Sequence, residues 1–179
     1  MCNWTGIVCN GGGATTVSQI NLPNAGLSGT LHLLNFTSFP SLTRFNITDN
    51  YFNGSIPPAI GDLSNLVFLD LSYNWFFDGS IPPQIGKLRE LQYLSLFYNN
   101  FSGVVPHQIG NLQKVCFLDL GFNSYLEAPD WSTVQSFPVL RHLIFAWNGF
   151  GPRFPDFILG CRKPNLSSFG WKRFEWINP

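Results

Sequence analysis

The sequence predicts an α/β solenoid, a right-handed superhelix in which short repeats stack along one axis. Three observations point to this fold class: a period of 24 to 26 residues, a stem of regularly spaced apolar residues in each repeat, and an asparagine that returns at one point of the period. A repeat of this length cannot bury a core alone, so neighbouring repeats must stack to share one. We therefore expect a parallel β-sheet on the concave face, with 3₁₀ turns and loops on the convex face.

The period is visible when residues 42–63, 66–88 and 91–112 are aligned, because nearly every apolar, Asn, Gly and Pro position coincides. Repeats begin at Val17, Leu42, Leu66, Leu91, Val115, Leu140 and Leu166. The sequence divides into three parts, namely the end of a cap at residues 1–16, about six repeats over residues 17–165, and an incomplete last repeat at residues 166–179.

The first half of each repeat carries the stem LxxLxL, whose apolar residues point to one face of a short strand while the residues between them point to the other. The second half reads GSIPPAIG, GSIPPQIG or GVVPHQIG. Because glycine permits a bend and proline prevents a continued helix, we expect an extended piece and then a short 3₁₀ turn. The fifth repeat instead reads SYLEAPDWSTVQSFP after Asn123, for which we expect an irregular outward loop.

An asparagine follows the stem at one fixed position of the repeat: Asn50, Asn74, Asn99, Asn123 and Asn148. A turn at this point leaves backbone groups unpaired, and a buried amide can bond both its own turn and that of a neighbouring repeat. We therefore expect a structural asparagine ladder here and not a ligand site.

Charge and composition exclude several classes of function. Ten basic and ten acidic residues cancel, and charged residues form only 11% of the chain, so nucleic acid is not an expected partner. Aromatic residues form 16% of the chain and must lie in a core, an interface or a ligand face. No apolar run approaches the ~20 residues that span a bilayer, so we expect no membrane span, and we find no export signal.

The sequence contains no catalytic constellation. It has no paired nucleophile and base, its three histidines are scattered, and the kinase signatures VAIK, HRD and DFG do not occur. Among the four cysteines only Cys2 and Cys9 lie close together, and we expect Cys116 and Cys161 to be free thiols. We therefore expect no enzyme activity, no metal and no cofactor.

Residues between the stem leucines form columns on the expected concave face. The first column is Arg44, Phe68, Tyr93, Phe117 and His142, and the second is Asn46, Asp70, Ser95, Asp119 and Ile144. Exposed aromatic side chains are enriched at recognition surfaces, although cross-strand stacking that only stabilises the sheet is the alternative. We expect ligand contacts from Phe68, Asp70, Tyr93, Ser95, Phe117, Asp119 and His142, with both aspartates solvated.

A third column runs beside the asparagine ladder: Asp49, Tyr73, Tyr98, Phe122 and Trp147. We expect these side chains to be half covered and to serve stacking more than binding. Six sequons for N-glycosylation, which are typical of an exposed loop in a secreted protein, begin at Asn3, Asn35, Asn46, Asn53, Asn100 and Asn165.

The combined pattern LxxLxLxxNxLxGxIPxxIGxL closely resembles the plant-specific class of leucine-rich repeats in the ectodomains of receptor-like kinases and receptor-like proteins. The resemblance covers about residues 17–165, and IPxxIG is its specific part. CNWTGIVC at residues 2–9 resembles the end of that family's N-terminal cap. This similarity implies a disulfide between Cys2 and Cys9, with Trp4 covering the apolar end of the first repeat.

The resemblance also implies a function. It indicates a fragment of a receptor, an extracellular recognition module that binds a peptide or protein ligand and joins a co-receptor ectodomain in cell-surface signal transduction. Its expected location is the extracellular face of the plasma membrane or a secreted state. Two alternatives stay open: a secreted inhibitor resembling the polygalacturonase-inhibiting proteins, and a truncated receptor product with no role of its own.

Overall fold

The computed structural model describes residues 4–11 and 16–150, in which short β-strands alternate with 3₁₀ turns. In chain order the strands are β1 (Ile7–Asn10), β2 (Thr16–Asn21), β3 (Ser28–Thr30), β4 (Arg44–Asn46), β5 (Tyr51–Gly54), β6 (Phe68–Asp70), β7 (Phe76–Phe77), β8 (Tyr93–Ser95), β9 (Ser102–Val104), β10 (Phe117–Asp119), β11 (Tyr125–Glu127) and β12 (His142–Ile144). The 3₁₀ turns are Leu31–Leu33, Phe36–Ser38, Pro58–Asp62, Pro83–Lys87, His107–Asn111 and Trp131–Thr133.

The main sheet lines the concave face and takes β1 from the cap and one strand from each of the six described repeats, in the order β1-β2-β4-β6-β8-β10-β12. From β2 to β12 the strands are parallel, whereas β1 is antiparallel to β2. The register never slips along the parallel strands, since Tyr93 pairs with Phe68 on one side and with Phe117 on the other. Equivalent positions therefore stack into columns, and the predicted solenoid with a parallel sheet is confirmed.

The core lies behind this sheet and is built from the apolar stem residues. Leu69, Leu94, Leu118 and Leu143 of successive repeats are all fully buried. Burial of a leucine side chain contributes about 1.5 to 3 kcal/mol, so each repeat adds a comparable layer to a single continuous core.

A second set of parallel strands follows the asparagine ladder, in two separate sheets, β3-β5-β7 and β9-β11. The sequence predicts only extended pieces here. The sheets separate at the third repeat, which has one extra residue between Asn74 and Gly79. Single backbone hydrogen bonds still cross this gap. For example, the Ser102 amide donates to the Gly79 carbonyl at 2.8 Å.

The predicted 3₁₀ turns are confirmed at Pro58–Asp62, Pro83–Lys87 and His107–Asn111. The glycine of IPxxIG lies where consecutive turns touch: a Cβ atom on Gly61 would lie 2.8 Å from the Gln84 carbonyl oxygen, and one on Gly86 even closer to its neighbour. Glycine is therefore required by the close approach of two turns and not by a positive φ.

The fifth repeat is more ordered than predicted. In place of an irregular loop it forms β11, in which Tyr125 pairs with Ser102 of β9, and then a 3₁₀ turn. Asp130 begins that turn by accepting a hydrogen bond from the Ser132 amide at 3.0 Å. The prediction of an irregular loop was wrong because the neighbouring repeat supplies the strand partner.

The cap region differs from expectation in one respect. Trp4 is 80% exposed, so the prediction that it covers the apolar end of the first repeat was wrong. Cys9 is disulfide-bonded, while Cys2 lies outside the described residues and its pairing with Cys9 stays a prediction. The thiol of Cys116 is free, as expected. Cys161, Asn3 and Asn165 lie outside the described residues, and the domain boundaries stay predictions.

Candidate ligand-binding surface

The ladder asparagines are occupied by the backbone. Asn74 is fully buried, and its amide nitrogen donates to the Leu71 carbonyl of its own turn at 3.2 Å and to the Ile47 carbonyl of the preceding repeat at 2.9 Å. Its side-chain oxygen accepts a hydrogen bond from the Phe52 amide at 3.2 Å. Equivalent bonds across two repeats are made by Asn50, Asn99, Asn123 and Asn148. These side chains therefore hold the turns together.

The first column of the concave face forms an aromatic stack, which we define as Phe68, Tyr93 and Phe117. The ring centroids of Phe68 and Tyr93 are 4.2 Å apart with an interplanar angle of 9°, and those of Tyr93 and Phe117 are 4.4 Å apart at 6°. Cationic or imidazole groups lie at both ends: the Arg44 guanidinium is 3.8 Å from the Phe68 ring centroid, and the His142 ring is 5.7 Å from that of Phe117. The ring faces cover one another, so a ligand meets mainly their edges.

The three central members of the second column are buried, which corrects the expectation that its aspartates are solvated. Asp70, Ser95 and Asp119 are only 8%, 3% and 6% exposed. Each aspartate closes its own turn: Asp70 accepts a hydrogen bond from the Ser72 amide at 3.0 Å, and Asp119 accepts one from the Gly121 amide at 2.8 Å. Tyr93 of the adjacent strand shares a side-chain hydrogen bond with Asp70, a contact that one repeat read alone does not reveal.

Burial changes the acidity of two groups beneath the concave face. It raises the pKa of the Tyr93 hydroxyl to about 12, and the negative charges of Asp70 and Asp119 act in the same direction. Burial also raises the pKa of the Asp119 carboxyl to about 6, opposed by the hydrogen bond from Gly121 and assisted by the charge of Asp70. Tyr93 is therefore a neutral hydrogen-bonding group at physiological pH.

The geometry gives these carboxyl groups a structural role and not a catalytic one. Asp70 and Asp119 lie on strands separated by β8, about 9 to 10 Å apart at the usual strand spacing, and both are below the surface. Within residues 4–11 and 16–150, no group of three metal-ligating side chains is found. This part of the concave face therefore offers contact area.

The third column forms a second aromatic surface, which we call the rim row: Tyr73, Tyr98, Phe122 and Trp147. Its ring centroids follow one another at 5.2, 5.8 and 5.4 Å, with angles of 36°, 42° and 34° between neighbours. Tyr73 is 49% and Trp147 52% exposed. Tyr98 and Phe122 are half buried, and the preference for stacking over binding in this row stays a prediction.

A signal for the rim row was present in the sequence. The same position holds Asn24 and Asp49 in the first two repeats, and all members of this column have positive φ angles, from 48° to 60°. Asn and Asp tolerate that backbone conformation, whereas aromatic residues rarely adopt it. Aromatic residues in the next four repeats therefore occupy a position that favours other residue types.

The sequons lie in different environments. Asn35, Asn53 and Asn100 are exposed, which suits a glycan. Asn46 is half buried on the concave sheet, where its amide nitrogen donates to the Asn21 side-chain oxygen at 2.8 Å and its oxygen accepts from the Thr48 amide at 3.0 Å. Glycosylation stays a prediction at every site, and Asn46 has the least suitable geometry for it.

Comparison with known proteins agrees with this architecture. The Leucine Rich Repeat family model matches residues 41–63, 65–88 and 90–112. In sequence, the chain is 43% identical over 73 residues to the leucine-rich repeat receptor-like serine/threonine-protein kinase RGI4 of Arabidopsis thaliana. The repeats form a leucine-rich-repeat solenoid, and in sequence they are similar to those of plant receptor-like kinases. The sequence match covers 41% of this leucine-rich-repeat chain but spans only 6% of that kinase.

Two solved structures from Arabidopsis show the same leucine-rich-repeat architecture. The HAESA ectodomain, in complex with an N-terminal extended IDA peptide hormone ligand, gives a TM-score of 0.76 at 27% identity, over 91% of this chain and 28% of HAESA. The BIR3–SERK2 complex gives a TM-score of 0.63 at 26% identity, over 96% of this chain and 83% of the compared chain. Among the described residues, no helix has the length and apolarity to cross a membrane.

Proposed function

We propose that this chain is a non-catalytic recognition module of an extracellular plant receptor, and that it binds a peptide across its concave face. The observation that supports this most strongly is a pair of aromatic columns on consecutive repeats, the aromatic stack and the rim row. The HAESA ectodomain, which shares the fold over 91% of this chain, holds a peptide hormone.

The proposed contact surface has two layers. The ring edges of the aromatic stack, together with His142 and the rim row, touch the ligand. Asp70, Ser95 and Asp119 lie beneath and hold the turns that orient those rings, because their oxygen atoms accept hydrogen bonds from amides two residues further on. Their contribution to binding is therefore indirect.

The size of the surface limits the ligand. Six parallel strands from β2 to β12 span about 24 Å at ~4.8 Å per strand. An extended peptide advances ~3.3 Å per residue, so roughly seven residues fit along the sheet. The proposed ligand is a short linear peptide or an extended segment of a protein.

The proposed setting is the extracellular face of the plasma membrane or a secreted state, with glycans at exposed sequons and a co-receptor ectodomain as a second partner. The BIR3–SERK2 complex supports a second ectodomain as a partner, because it pairs a chain of this fold with another protein. Any kinase reaction belongs to other parts of such a receptor.

The test is selection of peptides from a random linear library displayed on phage, followed by affinity measurements with purified variants. In the concave variant Phe68, Tyr93 and Phe117 are all replaced by leucine. We expect its affinity for the selected peptides to fall at least tenfold, with circular dichroism confirming the fold. A matched variant carries Tyr51→Ser and Tyr125→Ser, at residues 60% and 64% exposed on the outer sheets, and should bind like wild type. The opposite ranking of the two variants contradicts the proposal.

A further inference from the structure

The rim row differs from the aromatic stack in what it presents to solvent. In the stack, neighbouring rings are almost parallel, at 6° and 9°, with centroids 4.4 and 4.2 Å apart, so each face is covered by the next ring. In the rim row, neighbouring rings are inclined by 34° to 42° at 5.2 to 5.8 Å. Consecutive rim rings therefore open into wedge-shaped clefts, while the stack shows mainly edges.

The row is supported from beneath and from one side. The Phe97 ring lies against Tyr73 at 5.3 Å and against Phe122 at 5.1 Å, which fixes the floor of the clefts. Trp75, which is 62% exposed, lies 5.1 Å from Tyr98. Phe97 thus contacts the three rings that form the first two clefts, and the row needs no ligand to be arranged.

These rings occupy a backbone position that disfavours them. Tyr73, Tyr98, Phe122 and Trp147 have φ angles of 55°, 56°, 55° and 60°. Their side chains point away from the leucine core, so core packing does not account for an aromatic residue at this position. Asn24 and Asp49 show that the fold accepts the residue types that relieve this conformation. Inside the chain these rings contact one another and Phe97, and their remaining surface is available to a ligand.

The chemistry of the row selects a neutral ligand. None of its four side chains is charged, and its polar groups are the Tyr73 and Tyr98 hydroxyls and the Trp147 indole N–H, which donate hydrogen bonds. A polyproline II segment matches these donors, because its carbonyl groups make no internal hydrogen bonds and stay free to accept. Aromatic-lined grooves bind such segments through their preformed conformation.

The repeat spacing selects the same conformation. Polyproline II has three residues per turn at about 3.1 Å each, so equivalent residues recur every ~9 Å. Two strand spacings of the sheet are about 9.6 Å, which places prolines three residues apart at the first and third clefts. In a fully extended peptide, side chains on one face recur every ~6.6 Å, which matches neither one strand spacing nor two.

From these observations we infer that the rim row is a binding site for a proline-rich peptide segment in the polyproline II conformation, with prolines three residues apart in the Tyr73/Tyr98 and Phe122/Trp147 clefts. The inference rests on the proposed function, since it takes the ligand to be a peptide. The inference adds two details to the proposed function, namely the chemical class of the peptide and the part of the surface that binds it.

The probe is nona-L-proline, titrated against the purified chain by isothermal calorimetry, with nona-D-proline as a control of identical composition and opposite handedness. We expect the D peptide to bind at least tenfold more weakly. The double variant Tyr98→Asn/Phe122→Asn should lose binding at least tenfold. Asn suits the positive φ at both positions, so the variant is expected to fold. The control variant Tyr51→Ser, at a residue 60% exposed on an outer sheet, should bind within twofold of wild type.

Several outcomes overturn the inference. The inference is wrong if the two peptides bind equally or if neither binds. It is also wrong if the double variant binds nona-L-proline as strongly as wild type does, or if a neutral oligosaccharide competes with nona-L-proline for the row. If the double variant does not fold, Trp147→Asn alone, at the end of the row, is measured in its place and should weaken binding. Library peptides that bind the aromatic stack while nona-L-proline does not bind refute this inference alone. Absence of any peptide binding refutes the proposed function as well.

Discussion

The amide of Asn74 makes its hydrogen bonds to two consecutive turns from a fully buried position. Because water does not reach this site, removal of the side chain leaves carbonyl and amide groups without partners. The sequence predicts this role well, since an asparagine that returns at one point of five consecutive repeats, among apolar residues, needs backbone partners there. The burial of Asp70 and Asp119 is not predictable from the sequence, because it depends on how neighbouring repeats pack.

Asn74→Ala is expected to reduce the free energy of unfolding by about 1 to 3 kcal/mol through unpaired backbone groups. Urea denaturation followed by circular dichroism measures the change. Asn100→Ala is the matched control, because the same substitution at this exposed residue should change stability by no more than about 0.5 kcal/mol. Equal effects at both positions contradict the structural role of the ladder.

Asp119→Asn is expected to stabilise the protein at alkaline pH. The folded pKa of about 6 lies above the unfolded value of about 3.9, so the native state binds the proton more tightly. The stability that this group contributes is fully present below about pH 4 and is lost as the pH rises through about 6. The advantage of the variant over wild type should therefore be about 2 kcal/mol larger at about pH 8 than at about pH 4.

Denaturation at both pH values measures that difference. The asparagine oxygen can still accept the Gly121 hydrogen bond, as Asn46 does from Thr48 at the equivalent position. A variant advantage as large in acid as in alkali means that the Asp119 carboxyl is not held protonated by burial.

At the scale of elements, local chemistry explains which pieces are predictable. Proline and glycine in the second half of each repeat predict the 3₁₀ turns, and the leucine stem predicts the strands of the main sheet. Strand β11 is not predictable in this way, because its residues match no repeat pattern and it is extended only beside β9. The two outer sheets likewise depend on the neighbouring repeat.

Gly86→Ala tests how closely the turns pack. A methyl group there meets the Gln108 carbonyl of the next turn, so the two repeats must separate locally, and we expect a loss of about 1 to 3 kcal/mol in unfolding free energy. Gly11→Ala is the control, since among the described residues no atom beyond its chain neighbours lies within 4 Å of its added Cβ. Thermal melting of both variants decides the matter: similar melting temperatures for the two rule out tight packing between turns.

For the whole molecule, the constant register of the parallel strands creates the functional surface. Each repeat contributes one side chain to each column. A single aromatic side chain offers little contact area, but a column of them extends that area across several repeats. The sequence alone gives the columns and their members. It does not show that the rings of one column lie face to face while those of another open into clefts, because ring inclination depends on contacts between repeats.

Hydroxyl-radical footprinting of the chain with a library-selected peptide tests the central claim, peptide recognition by the concave face and its rim, most directly. The peptide should reduce oxidation of Tyr73, Tyr98 and Trp147, while Tyr51 and Tyr125 on the outer sheets keep their rates. Protection of Tyr51 and Tyr125, with the rim residues oxidised as in the free chain, contradicts the claim.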